Sequence, residues 1–374
     1  MSAEAGSAKT QPQRNRAPQH AAGVLIKAIR EPTAVTAFTD PEWDLFIRLA
    51  RREGLLARVA IQFEQAGTPG PVPKQIQDHM IAARAIAANH AAMIRWEVDR
   101  IQFALRSLDT PILLLKGAAY LLVDLPLAQG RLVSDVDILV PEGALHDVEA
   151  ALLAADWAAL TLDPYDQRYY RRWMHELPPL RHRTRGTTVD VHHRILPQTS
   201  RLNPDPALLW EDSVALDQPG LRVLSPEDML LHCAVHLFHD GDLDHGLRDL
   251  VDLHDMFGHF GKDPQFWTRL TGRAQKLGVA RPLFYALRYT ERVLGTKIPT
   301  EAQATAAPPR WPLRQLMDQL VMRALTPEHP DHPAATTALA RWLLYIRSHY
   351  LRMPLNLLIP HLLRKSFRKR LQPA

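Results

Sequence analysis

The stretch Arg131-Leu-Val-Ser-Asp-Val-Asp-Ile-Leu-Val140 constrains this chain more than any other. Two carboxylates two residues apart, set among aliphatic side chains, read as one half-buried strand, because alternate residues of a strand share a face. Asp135 and Asp137 then project together, while Val136, Ile138 and Val140 turn into a core. Carboxylates held side by side raise one another's pKa unless a cation lies between them. Oxygen-only donors of this kind suit Mg²⁺, which takes one or two carboxylates together with water and substrate phosphates. Most isolated Asp-x-Asp pairs lie on solvated faces, so the neighbouring segments decide what this one is for.

Those segments form a connected pattern. Residues 111–115 are an all-apolar run, the mark of a buried strand, and Lys116-Gly117 ends it. A helix over 118–123, a turn at Gln129-Gly130-Arg131, a strand over 133–140 and a helix over 145–157 follow. Extended stretches at 177–182 and 187–195 are joined hairpin-fashion through Arg183-Thr-Arg-Gly186. In the second of these, Val189 and Val191 alternate with Asp190 and His192, which sets a third acid on one strand face. Three acids on adjacent strands suit a two-metal phosphoryl-transfer site with ions about 3.5–4 Å apart. Asp190 is then the acid nearest the attacking hydroxyl, as ligand or base. Gly117 lets backbone amides approach a phosphate, and a helix N-terminus favours the anion. Lys116 and Arg131 are candidate phosphate contacts, and Ser134 a hydrogen-bond donor.

Helices flank this region on both sides. Thr39 or Asp40 caps a helix whose first position is Pro41, followed by Glu42 in the first turn, and residues 74–108 carry an apolar stripe in steps of three and four, from Ile76 to Leu105. Ser225-Pro-Glu-Asp228 is a second helix start, with serine as cap, proline at the first position and acids in the first turn. The expected fold class is α+β, with a small mixed sheet between helical modules. The expected divisions are a disordered lead-in (1–20), an N-terminal helical region (21–108), the α/β core (109–224) and a C-terminal helical region (225–374).

Residues 112–196 resemble the nucleotidyltransferase core of the DNA polymerase β superfamily. The wording Leu-Lys-Gly, then Arg-x-x-Ser-Asp-Val-Asp-Ile-Leu-Val, then Val-Asp-Val-His-His is similar to a bacterial group of largely uncharacterised nucleotidyltransferase-like proteins. The resemblance implies that Gly117 is the motif glycine, that Asp135 and Asp137 are the metal-binding pair and that Asp190 is the third acid. The implied reaction moves an NMP group from an NTP, ATP first among them, to an acceptor hydroxyl with release of pyrophosphate. Two Mg²⁺ ions are expected, with Mn²⁺ as a substitute. One departure stands out: the superfamily usually has serine beside the motif glycine, and here that residue is Ala118. Phosphate holding then falls to the amides, Lys116, Arg131 or Ser134, and a nucleotide-binding or regulatory module with weak turnover becomes the alternative.

A second alternative is an HD-type phosphohydrolase in the C-terminal helices, suggested by His239-Asp240 with Asp249 or Asp252. His232 and His236 share a helix face, but Cys233 follows His232 where a metalloprotease would place glutamate. Composition narrows the setting. The net charge of +5 comes from 45 basic and 40 acidic residues and carries no nucleic-acid signature of its own, and a single cysteine excludes an internal disulfide and suits a reducing cytoplasm. No window approaches the ~20 apolar residues of a membrane span. The apolar run 353–363 leads into Arg364, Lys365, Arg368, Lys369 and Arg370, a basic tail that is expected either to be a solvated helix end or to touch membrane or RNA.

Overall fold

Seven short strands form one mixed sheet in the computed structural model, which describes residues 17–67, 72–160, 170, 173–240, 243 and 245–358. They are β1 (Ile112–Leu114), β2 (Asp135–Leu139), β3 (Trp157–Ala159), β4 (Leu180–His182), β5 (Thr188–His192), β6 (Val214–Ala215) and β7 (Leu221–Val223), in the spatial order β3-β4-β5-β2-β1-β7-β6. β2 lies at the centre, antiparallel to β1 and parallel to β5. Val136, Ile138, Leu139 and Val140 are fully buried there, as are Val189 and Val191 of β5, so the aliphatic alternation pins both strands to the core.

The sheet is wider than the four strands legible in sequence. Trp157 does not end the helix before it, which closes at Ala154, but opens β3. Its indole packs edge-on against His182, its partner across the strand pair, with a ring separation of 4.9 Å. Cross-strand packing of this kind outweighs the helical pattern. β7 holds only Leu221-Arg222-Val223, too few residues to show alternation; parallel pairing with β1 fixes it, and Arg222 donates to the Ser213 hydroxyl and carbonyl at 2.6 Å each.

Helices surround the sheet. Before it come α1 (Ala17–Arg30), α2 (Asp40–Arg52), α3 (Leu56–Gln65) and the long α4 (Lys74–Leu105). α1 begins inside the stretch expected to be a disordered lead-in; residues 1–16 lie outside the described residues, as does the basic tail from 359 onward. The α2 cap is reciprocal: the Thr39 amide donates to Glu42 at 2.8 Å, and the Thr39 side chain receives the helix amide. On α4 the apolar stripe is the buried face, with Met80, Ala87, Ile94, Val98, Ile101 and Leu105 all in the core. Within and after the core come α5 (Lys116–Leu122), α6 (Leu145–Ala154), α7 (Pro206–Glu211) and α8 (Pro226–Val235). α8 is capped by Ser225, whose hydroxyl accepts from the Asp228 amide at 3.3 Å. A π-helical turn, His236–Asp240, leads to α9 (Gly246–Phe260), α10 (Pro264–Lys276), α11 (Ala280–Leu294), α12 (Thr300–Thr305), α13 (Trp311–Leu325) and α14 (Ala335–Arg352). No helix among the described residues is long and apolar enough to cross a membrane.

A buried ion pair ties α10 to α8. Arg273 donates to both Asp228 oxygens at 2.6 and 2.7 Å and to the Leu208 carbonyl at 2.7 Å, with Asp228 only 1% exposed. Removing one partner of such a pair strands a buried charge. Arg273→Met is expected to cost about 3–5 kcal/mol, read from the urea midpoint.

One buried and one half-buried imidazole contribute to the acid limb of stability. Burial holds His232 well below the ordinary histidine pKa and His254 below it, the latter with its ring 2.8 Å from the Thr296 hydroxyl. Each therefore takes up its proton at lower pH in the fold than in the unfolded chain, which protonates near pH ~6.5. Their contribution is therefore complete above that pH and falls as the pH drops, by up to ~1.4 kcal/mol per pH unit for each ring. Denaturation midpoints from about pH 7.5 down to about 5.5 should show a shallower decline for His254→Asn than for the natural chain.

Candidate active site

Parallel pairing of β2 with β5 sets Asp137 directly beside Asp190 and Asp135 beside Thr188. Neighbouring strands lie about 4.8 Å apart, so two acids share a short length of buried sheet. Asp137 is 3% exposed; its Oδ1 accepts from Lys116 Nζ at 2.8 Å and from His192 Nε2 at 3.1 Å. Burial pushes this carboxyl up, but Lys116 and His192 outweigh it and hold it well below the usual carboxylate range. Lys116 is in turn pushed up, because Asp137 overcomes the desolvation of its ammonium. Its backbone is strained, with φ +45°, a left-handed value that β-carbon-bearing residues rarely adopt, at the junction of β1 and α5.

Asp190 has the opposite fate. Burial, then the neighbouring charges of Asp137 and Glu176, push it up to about 7. Its Oδ1 is buried and accepts no hydrogen bond. The paired acids thus split, one ionised and one protonated near neutrality, as expected of like charges without a cation between them. Asp135, partly exposed, accepts from the Ser134 hydroxyl at 3.3 Å. This donor set fits a hard divalent cation in its chemistry: carboxylates on two adjacent central strands, one with a buried oxygen that nothing satisfies. The oxygens of the three acids do not all lie within 4.8 Å of one another. Lys116 engages Asp137 through its Oδ1.

A cavity of about 190 Å³ opens over these groups. The core supplies Lys116, Gly117, Arg131, Ser134, Asp135 and Asp137, and the C-terminal helices supply the opposite wall, from Cys233 and His236 to Arg248, Asp249 and Asp252. Arg131 crosses the cavity to donate to Asp252 at 2.8 Å, and Asp252 and Asp249 hold the guanidinium pKa up. Asp249 accepts from Arg248 at 3.3 Å and lies 3.2 Å from His236 Nδ1. Burial pushes its carboxyl up, but His236, Arg248 and Arg131 outweigh it and hold Asp249 well down.

Of the residues singled out from sequence, Lys116, Gly117, Arg131, Ser134, Asp135 and Asp137 line this cavity, with Lys116 engaged on Asp137, Arg131 on Asp252 and Ser134 on Asp135; Asp190 pairs with Asp137 across the strands but is not part of the lining. Gly117 has a steric reason to be glycine, since a β-carbon there meets Arg131 Nη1 at 2.6 Å and the Val133 methyls at 2.8 and 2.9 Å. Ala118 is buried in the core. Of the histidines, His232 is buried and His236 reaches the cavity. His239 lines a separate cavity with Phe238 and Tyr285, where it meets the Ser200 hydroxyl at 2.8 Å. It shares no cavity with Asp249 or Asp252, and no group of metal ligands forms around it among the described residues. Sequence reasoning gave no role to Glu176 or His192. The alternation over 188–192 already placed His192 on the face of Asp190; Glu176 carries no local signal, since its place depends on the backbone bridge to His192.

Two comparisons with known proteins came back empty, no curated protein and no solved structure matching the chain. A family model described as "uncharacterised nucleotidyltransferase" matches residues 39–295. That span runs from α2 to the end of α11 and takes in both walls of the cavity.

Gly117→Ala should force Arg131 off Asp252, at an overpacking cost of about 1–3 kcal/mol, measured by chemical denaturation. A change below ~0.5 kcal/mol, the range of ordinary surface substitutions, would show that the contact yields freely.

Proposed function

Because the chain belongs to the uncharacterised nucleotidyltransferase family, and is thus a transferase, we propose that it transfers an NMP group from an NTP to an acceptor hydroxyl and releases pyrophosphate. ATP is the first donor to test, Mg²⁺ the cation, and the cytoplasm the setting. The carrying observation is the in-register pair of Asp137 and Asp190, of which Asp137 lines, together with Asp135, a cavity with cationic side chains. We read the strand arrangement around them as that of a polymerase β superfamily core.

Asp135, Asp137 and Asp190 would hold the ions, with Mn²⁺ as a substitute. When bound, the metal neutralises charge on the transferring phosphoryl group and the leaving pyrophosphate. The protein's own work is positional and electrostatic. Asp190, as the acid nearest the acceptor in this reading, would take the attacking hydroxyl's proton. Lys116 releases Asp137 and turns to phosphate, since an ammonium exchanges one oxyanion for another at little electrostatic cost. Arg131 and Ser134 reach the same cavity. α5 has only seven residues, so cationic side chains rather than a helix terminus carry the phosphate in this reading.

A second reading, nucleotide binding without transfer, is favoured by Ala118, which removes the hydroxyl the superfamily usually sets against phosphate. Titration of the full chain with each NTP plus Mg²⁺, and release of labelled pyrophosphate from γ-labelled NTP, separate the two. Transfer predicts turnover that Asp135→Ala/Asp137→Ala lowers at least ~10²-fold, in line with the loss of one strong transition-state contact. Binding without any pyrophosphate supports the second reading, and NTP binding indifferent to the double substitution contradicts both.

A further inference from the structure

Next to the acids, backbone pairing locks residues 175–177 to the end of β5. The Leu177 amide donates to the Val191 carbonyl at 2.8 Å, the His193 amide to the His175 carbonyl at 2.9 Å, and Glu176 bridges His192. His175, Glu176 and His192 converge as a result. Each offers one donor atom, and the three lie within 4.8 Å of one another, the one group of this kind among the described residues. His192 Nδ1 stands 3.4 Å from Glu176 Oε2, and His175 Nε2 stands 3.9 Å from the same oxygen. A tetrahedral ion with ligand bonds of about 2.0–2.1 Å separates its donors by about 3.4 Å, so one edge is already formed and a second needs about half an ångström of closure.

The placement of His192 between two carboxylates supplies an independent reason. Its Nε2 stands 3.1 Å from Asp137 Oδ1, the oxygen that also meets Lys116. Its Nδ1 is buried and makes no hydrogen bond. That nitrogen faces Glu176 Oε2 at 3.4 Å, the spacing of two donors on one ion. An imidazole that ligates through one nitrogen and donates to a carboxylate through the other is the usual way a metal-binding histidine is oriented. Two imidazoles and one carboxylate are borderline donors, which select a transition metal over Mg²⁺.

We propose that His175, Glu176 and His192 bind one Zn²⁺-class ion, separate from the Mg²⁺ cluster, with the fourth position open to water. Through His192 it fixes the Nε2–H on Asp137 and so acts as a positioning device for the carboxylate edge. Cobalt is the probe, because Co²⁺ absorbs strongly in the visible in four-coordinate sites and weakly in six-coordinate ones. Full-length protein should take up one equivalent with an intense visible band that Zn²⁺ displaces. Glu176→Ala and His175→Ala should each weaken cobalt binding more than ~100-fold, beyond the cost of losing an outer partner. Asp135→Asn should leave the band in place. Circular dichroism of each variant confirms the fold, and Glu176, the most exposed of the three, is the substitution least able to disturb it. No intense band at one equivalent, a band that survives Glu176→Ala in folded protein, or a band lost in Asp135→Asn would overturn the assignment. NTP–Mg²⁺ titrations run alongside separate this inference from the transferase reading, since either can fail while the other stands.

Discussion

The parallel register of β2 on β5 sets two acidic residues directly side by side on neighbouring strands, and much of the surrounding structure answers that constraint. A slip of one residue would relieve the crowding, but it would turn Val136 and Ile138 out of the core. The aliphatic face therefore holds the acids where electrostatics alone would not. The neighbourhood responds by sending Lys116 and His192 to Asp137 while Asp190 retains a proton near neutrality. A positive φ at Lys116 is the local backbone cost of delivering that ammonium.

The C-terminal helices form one wall of the cavity whose other wall is the core. Arg131 reaches Asp252 on α9, 121 residues further along, and Arg58 on α3 pairs with Asp255 of the same helix at 2.7 and 2.8 Å. α9 is thereby held against both the core and the N-terminal helices. Cys233, His236 and Asp249 become cavity walls, and an acid-rich, basic-studded surface faces the carboxylate edge. The family match extends across this whole assembly, which fits a cavity built jointly by sheet and helices.

Local periodicity made much of this legible. Alternation over 135–140 and 188–192 reported the two acid-bearing strands, the Leu-Lys-Gly junction reported the turn into α5, and the Ser225 cap reported α8. Pairing across distance was not legible. β7 is three residues long and exists because β1 accepts it, and β3 exists because Trp157 packs on His182. The same holds for side chains: Arg131 read as a phosphate contact, yet nothing near it in sequence announced Asp252, and Glu176 meets His192 only after β5 has paired. Interactions that close long loops leave no mark at short spacing.

The account turns on whether Asp135, Asp137 and Asp190 gather around divalent cations once a nucleotide enters. A crystal grown with Mn²⁺ and an NTP analogue that resists cleavage at the α-phosphate, examined by anomalous scattering, tests this directly. The account predicts manganese peaks within about 2.2 Å of oxygens from all three acids, the triphosphate in the cavity beside Arg131, and the Lys116 ammonium withdrawn from Asp137. Lys116 still paired with Asp137, with the acids bare of metal and the nucleotide bound elsewhere, would contradict it.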